Sequence, residues 1–294
     1  MAAQKSSRDD GGNKLVLIGL IRLMRPKHWV KNGFVLAPLM FAGLFTDVSA
    51  IFSAMLAFAF FCIASSASYI LNDIHDVEAD RVHPGKRLER PLAAGIVSKT
   101  QAKTLLVIVY FILAIEAVIQ PPVFIVLVVY IFLNLAYTFK IKYVPVLDIF
   151  SIAMGFVLRV YAGAVALNVP VSPWMFVTTL CLALYLGSIK RRQEIEEVRT
   201  ESRDVLKQYS ARLVDRYAEM SGTGALVFYS LFVLESQPQL AITIPIVLFG
   251  LFRYWFVVET KAGGESPTDA LLSDWHLMLT IAIWIFVCAW LLWP

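Results

Sequence analysis

Asn72-Asp73-Ile74-His75-Asp76-Val77-Glu78-Ala79-Asp80 gathers three aspartates, a glutamate and an asparagine directly after an apolar run, Ile51 to Leu71. Asp73, Asp76 and Asp80 are spaced three and four apart, so on a helix they share one face. Three like charges on one face repel unless a cation sits among them. Hard oxygen ligands of this kind suit Mg2+, which binds through a few carboxylates plus substrate phosphates. The pattern points to a metal–diphosphate site at a membrane surface. A solvated acidic loop is the competing reading, and the basic run that follows tells against it. After the Pro84-Gly85 turn signal come Lys86, Arg87 and Arg90. Carboxylates for a metal, then cations for phosphate oxygens, is the pairing that a diphosphate leaving group needs. For Arg81 and Arg90, ordinary enrichment of cations on the cytoplasmic side of a membrane explains the residues equally well.

A second polar cluster, Tyr185 to Glu197, closes a later apolar run and occupies the same place relative to it. It opens with Lys190, Arg191 and Arg192 rather than with carboxylates. The two clusters look like pseudo-equivalent halves of one site, with Lys190 and Arg191 at the depth of a lipid phosphate. From Glu196 to Asp215 the mixed charges read as an amphipathic surface helix. Arg159 lies inside a further apolar run, eleven residues past Asp148. An arginine at such depth costs about 2.5–3.5 kcal/mol, so it must face a carboxylate or an anionic substrate. Lys142 and Asp148 bracket the entry to that run, and Arg253 and Tyr254 belong with a cavity lining. Glu116 has no assigned role. Cys62, Cys181 and Cys288 lie in apolar runs without paired spacing and read as small core residues. The four histidines show no metal-ligand spacing, and His75 is expected to point away from the aspartate face.

The elements that must position these groups are membrane helices. The chain is 59% hydrophobic over 294 residues, with a mean hydropathy of +0.69. Its charges are concentrated between runs long enough to span a bilayer. Nine spans are expected: 33–49, 51–71, 104–120, 122–139, 148–167, 173–189, 217–235, 240–258 and 274–293. Pro38 and Gly43 interrupt the first. Alternate connections are rich in Lys and Arg or devoid of them, including the 190–216 segment and the 259–272 loop with Lys261. This places the N-terminus in the cytoplasm, with the acidic motif facing the same side. The expected organisation is a polar tail, residues 1–20, followed by one transmembrane catalytic domain, 21–294. No cleavable signal peptide is expected, and no phosphate-binding loop of the kind that would support ATP-driven chemistry is present.

Asn72-Asp73-x-x-Asp76-x-x-x-Asp80 after a second membrane helix resembles the first aspartate-rich motif of the UbiA superfamily of intramembrane prenyltransferases. Arg25-Pro26-Lys27-His28-Trp29-Val30-Lys31-Asn32, the full stretch Asn72 to Arg81, and Phe156-Val157-Leu158-Arg159 with Ala162-Gly163, all resemble its decaprenyl-phosphate phosphoribosyltransferase branch. The likeness runs from about Leu20 to the last helix. The second aspartate pair of the aromatic prenyltransferases is replaced here by Lys-Arg-Arg-Gln-Glu, with Glu194 the only nearby acid. A prenyl diphosphate with a neutral acceptor presents two phosphates, whereas phosphoribosyl diphosphate with a polyprenyl phosphate presents four. Exchanging carboxylates for cations suits the second pair of substrates.

The resemblance implies an all-α integral membrane protein, a UbiA-like bundle of nine transmembrane helices in the plasma membrane. It implies Mg2+-assisted transfer of 5-phosphoribose from 5-phosphoribose 1-diphosphate (PRPP) to polyprenyl phosphate, for cell-wall arabinan precursors. Asn72, Asp73, Asp76 and Asp80 are the expected metal ligands, and the three aspartates the catalytic residues. Lys86, Lys142, Arg159, Lys190 and Arg191 are the expected phosphate contacts, with Lys27 and Tyr69 behind them. The implied partners are the two substrates and the bilayer, with no nucleic acid; a homo-oligomer is allowed. The alternative is an aromatic prenyltransferase for quinone or haem synthesis, which a second aspartate pair would have marked. A transporter or channel would call for polar residues at the midplane of several spans, and only Arg159 is a strong case.

Overall fold

The computed structural model describes residues 2–197, 205–260 and 273–293, with side chains described from residue 13 and not at 196 and 197. Every regular element in these residues is helical. They are α1 (Ala2–Leu23), α2 (Ala37–Phe41), α3 (Val48–Val82), α4 (Lys86–Glu89), α5 (Lys99–Ile119), α6 (Pro121–Phe139), α7 (Leu147–Ala166), α8 (Pro173–Glu197), α9 (Ala211–Ser236), α10 (Ile244–Thr260) and α11 (Trp275–Leu291). Stretches of 3-10 helix cover Pro26–Leu36, Ile141–Tyr143, Leu206–Gln208 and Pro238–Thr243.

Seven of the described segments are long and apolar enough to cross a membrane, and α11 is a shorter apolar helix. They account for eight of the nine expected spans. The first, 33–49, is not one continuous α-helix. It is split between the 3-10 stretch Pro26–Leu36 and the five-residue α2. Pro38 lacks an amide proton and sits in the first turn of α2, where its ring is tolerated. Gly43, at φ +68, then takes the left-handed conformation that ends the helix. Of the expected polar tail, 1–20, residues 2–20 are part of α1.

Local sequence explains the helix starts. The Asp47 carboxylate accepts from the amides of Ser49 and Ala50 at the head of α3. Ser98 and Gln101 form a reciprocal capping box on α5. Ser210 and Asp274 cap α9 and α11.

The chain divides into two compact units, residues 1–30 with 59–138 and residues 31–58 with 139–294. In the first, Phe61 packs its ring 4.7 Å from that of Tyr130, joining α3 to α6. In the second, α8 packs on α7 and α9. A Cβ at Gly222 would stand 3.0 Å from the Tyr185 ring, the close helix approach that small residues permit in a bilayer. Cys62 and Cys288 are buried and Cys181 half-buried, all as free thiols.

Candidate active site

Helix α3 does not end where its apolar run ends. It continues to Val82, so Asn72, Asp73, Asp76 and Asp80 all lie on its last three turns. At about 100° of rotation per residue, the stripe has two edges. Asp73 and Asp80 fall about 20° apart on one edge, and Asn72 and Asp76 about 40° apart on the other.

The first edge is neutralised from within its own unit. Arg90 donates through Nη1 to Asp73 Oδ1 at 2.9 Å and also to Asp80 Oδ2. Arg25 donates through Nη2 to Asp73 Oδ1 at 2.6 Å. Asp73 and Asp80 are both buried, so two carboxylates and two guanidiniums balance in a poorly hydrated place. The segment carrying Arg25 runs along one face of α3. Trp29 Nε1 donates to Ser66 Oγ at 3.1 Å, the His28 ring lies 5.5 Å from the Tyr69 ring, and the Arg25 guanidinium lies 4.8 Å above it. Tyr69 is thus packed among Arg25 and His28.

The other edge differs. Asp76 is half-buried, with His75 Nδ1 2.8 Å from its Oδ1, so His75 does not point away from the motif. Among the described residues, no group of three or more His, Cys, Asp or Glu side chains converges to hold a metal. The donor set on this edge, one carboxylate and one amide oxygen a helical turn apart, fits a cation that takes one or two protein ligands and completes its shell with substrate phosphates and water. Arg81 pairs with exposed Glu78. Lys86 opens α4, half-buried, and Lys27 is exposed.

In the second unit the acid is Asp148, fully buried in the first turn of α7. Arg191 Nε lies 2.9 Å from Asp148 Oδ2, and the same guanidinium donates to Glu194. Arg191, expected at a lipid phosphate, is therefore buried against two carboxylates of its own chain. Its neighbour Arg192 pairs with Asp215 of α9 at 2.6 Å and with Glu259 of α10. Lys190 is more exposed and stands 3.6 Å from Glu194. The Tyr209 hydroxyl donates to Asp148 Oδ1 at 2.7 Å and accepts from the Val146 amide at 2.5 Å. Burial, with the Asp148 carboxylate beside it, pushes this phenol well above its ordinary pKa, so it remains a hydroxyl.

Arg159 is 5% exposed. Its Nε donates to Asn32 Oδ1 at 2.8 Å and its Nη1 to the Gly155 carbonyl at 2.7 Å. These two acceptors are neutral oxygens. Asn32 reaches this position because α7 carries Gly163, where a Cβ would stand 1.8 Å from the Val35 carbonyl oxygen. Lys142 is buried in the 3-10 turn ahead of α7, its Nζ 5.3 Å from the Tyr143 ring centre. Arg253, expected in a cavity lining, instead grips Asp274, the cap of α11, through Nε and Nη2 at 3.0 and 2.7 Å.

Sequence reasoning overlooked Asn32 as a partner and Tyr209 altogether. Asn32 stood in a quoted motif. Tyr209 had no signal, since it lies in a mixed-charge stretch 61 positions from Asp148. Part of that stretch, 198–204, and the 261–272 segment with Lys261 lie outside the described residues.

A chain whose described residues form only helices, seven of them membrane-spanning candidates, and which collects acidic and basic residues at helix ends, is a multi-pass membrane protein with polar chemistry at its helix termini. The chain belongs to the UbiA prenyltransferase family, whose model matches residues 34–270. It is 34% identical to a decaprenyl-phosphate phosphoribosyltransferase of Mycolicibacterium smegmatis, over 94% of this chain and 92% of that one. It is also 34% identical to the protein of the same name from Corynebacterium glutamicum, over 91% and 85%. In fold it is similar to a UbiA homolog from Archaeoglobus fulgidus solved with DMAPP and Mg2+, with a TM-score of 0.70 and 18% identity, covering 93% of this chain and 98% of that one.

Proposed function

We propose that this protein transfers 5-phosphoribose from PRPP to polyprenyl phosphate, giving polyprenyl-phosphoryl-5-phosphoribose and diphosphate. The observation that carries the reading is the 34% identity to decaprenyl-phosphate phosphoribosyltransferases across nearly the whole chain. The state of the second polar cluster supports it. Where the aromatic prenyltransferases carry a second aspartate pair, this chain has Lys190, Arg191 and Arg192, and Glu194 is engaged by Arg191 and Lys190.

The bond between ribose C1 and the diphosphate oxygen breaks, its electrons leaving with diphosphate. A new bond forms between C1 and an oxygen of the lipid phosphate. Asn72 and Asp76 would hold Mg2+, which when bound neutralises charge growing on the leaving diphosphate. Asp73 and Asp80 fix Arg25 and Arg90, which orient the acidic helix end. Lys86, Lys142 and Lys190 supply cations for phosphate oxygens, and Arg159, held on its Asn32 side, supplies a planar donor. No general base is required, because a phosphate monoester with a second pKa of about 6 is already largely deprotonated near neutrality. The reading includes a plasma-membrane location with this chemistry on the cytoplasmic side, in keeping with the Lys and Arg bias of the connections. It also includes a single transmembrane catalytic domain over residues 21–294 and a role in supplying cell-wall arabinan precursors.

The test is incubation of membranes carrying the protein with radiolabelled PRPP, polyprenyl phosphate and Mg2+, followed by organic extraction. Label in the organic phase that requires the lipid and is abolished by EDTA is expected. Turnover of a prenyl diphosphate with an aromatic acid, and no labelled lipid, would replace this reading with the aromatic-prenyltransferase one.

A further inference from the structure

Val146 is the residue whose backbone needs an explanation. It stands at φ 71, ψ −48, immediately before α7. This is close to the rare γ-turn region, and a β-branched side chain makes it costlier still. Such conformations persist only where the surroundings over-determine them, and they gather where geometry must be held. Beside the local backbone bonds, from the Asp148 amide to the Val144 carbonyl and from the Phe150 amide to the Val146 carbonyl, a hydroxyl from a distant part of the chain grips this one. Asp148, as a carboxylate, only accepts, so Tyr209 must donate to it at 2.7 Å and accept from the Val146 amide at 2.5 Å. The polarity of the chain is fixed, from Val146 N–H to Tyr209 O–H to Asp148. Arg191 anchors the far end at 2.9 Å. All four residues belong to the same compact unit.

The turn at Val146 ends the short connection from Lys140 to Val146, which carries buried Lys142. Lys142 lies four residues before Val146 in the same unit, and the Val144 carbonyl between them accepts from the Asp148 amide at 3.1 Å, so a shift of the turn passes to the backbone that carries the Lys142 ammonium. We infer that Tyr209 is a positioning residue whose hydroxyl locks the strained Val146 turn and so holds Lys142 in place for a phosphate of the donor substrate. The substrate half of this inference rests on the phosphoribosyl-transfer reading; the lock itself does not.

Tyr209→Phe removes the hydroxyl and keeps the ring. Val146→Gly removes the steric cost of the positive φ, so the turn no longer needs a lock. The full-length protein is purified in detergent as wild type, each single variant and the double variant. Two quantities are measured: steady-state constants with PRPP varied, and hydrogen–deuterium exchange of the peptide covering 140–146. Tyr209→Phe is expected to raise the KM for PRPP about tenfold with kcat within about twofold, since displacing a substrate contact acts on binding. Exchange in 140–146 is expected to quicken. In Val146→Gly the KM should stay within about threefold of wild type, and the double variant should recover most of the KM lost in Tyr209→Phe. Unchanged exchange in Tyr209→Phe overturns the lock. Faster exchange with an unchanged KM, or a double variant no better than Tyr209→Phe, overturns the positioning role. Wild-type protein that makes no labelled lipid sinks the phosphoribosyl reading and with it the substrate half, while the exchange comparison still decides the lock.

Discussion

Arg159 Nε donates to Asn32 Oδ1 at 2.8 Å, linking residues 127 positions apart. Asn32 is fully buried, and its amide oxygen faces a guanidinium that membrane depth would otherwise make costly. Two of the motifs that carry the family resemblance thus meet in one structural device. Asn32→Ala leaves a buried donor without this partner and should cost about 1–3 kcal/mol of stability. Arg159→Ala should lower kcat/KM by about a hundredfold or more if the guanidinium serves a substrate phosphate as proposed. In a double-mutant cycle scored by kcat/KM, the Asn32 effect should largely vanish in the Arg159→Ala background. Additive effects would separate the two residues.

Arg90 holds Asp73 and Asp80 together, so removing it strands buried Asp80 and leaves buried Asp73 with Arg25 as its remaining guanidinium. Arg90→Ala is expected to destabilise the protein by about 3–5 kcal/mol. Asp80→Asn, which leaves Arg90 its contact with Asp73, should cost clearly less. Thermal melting in detergent, followed by tryptophan fluorescence, ranks the two. The reverse order would remove Arg90 from the centre of this cluster.

The two edges of the acidic stripe should separate by readout. Asp76→Asn and Asn72→Ala are expected to cut turnover by a hundredfold or more, on the order expected for loss of preorganised charge stabilisation, and to raise the Mg2+ concentration needed for half-maximal rate. Their melting temperatures should stay near wild type. Asp73→Asn should lower melting temperature and activity together, because Arg25 and Arg90 lose a shared partner. Equal thermal loss in all three would erase the distinction between ligand and scaffold.

Gly163 has no room for even a methyl group, since a Cβ would stand 1.8 Å from the Val35 carbonyl oxygen. Gly163→Ala must push the backbone around Val35 off α7, carrying Asn32 with it. Expression in the membrane fraction should fall sharply, and the remaining protein should resemble Asn32→Ala in its kinetics. A well-expressed, fully active Gly163→Ala protein would show that this approach is not required.

The long helices were legible because bilayer-length apolar runs have few alternatives, and the charges between them mark their ends. The first expected span was not, because Pro38 and Gly43 break the α-helical ladder while the composition stays apolar. The acidic motif was legible as a face, since i, i+3 and i+4 spacing survives into the structure. Which of its residues hold arginines could not be read, because Arg25 and Arg90 reach it from 48 and 17 positions away. Arg191 shows the same limit. A cation at a membrane boundary reads as a phosphate contact until the fold brings a buried aspartate to it. Tyr209 was invisible because hydrogen bonding by one hydroxyl leaves no periodic trace.

Arg191 and Arg192 are consecutive, so their side chains leave α8 about 100° apart. One is spoken for by α7, through Asp148, and the other by α9 and α10, through Asp215 and Glu259. Together they set the rotational phase of α8 about its own axis. Adding or deleting one residue upstream within α8 would turn both guanidiniums past their partners at once. Length variation among natural variants of this chain should therefore spare the stretch from Pro173 to Glu194.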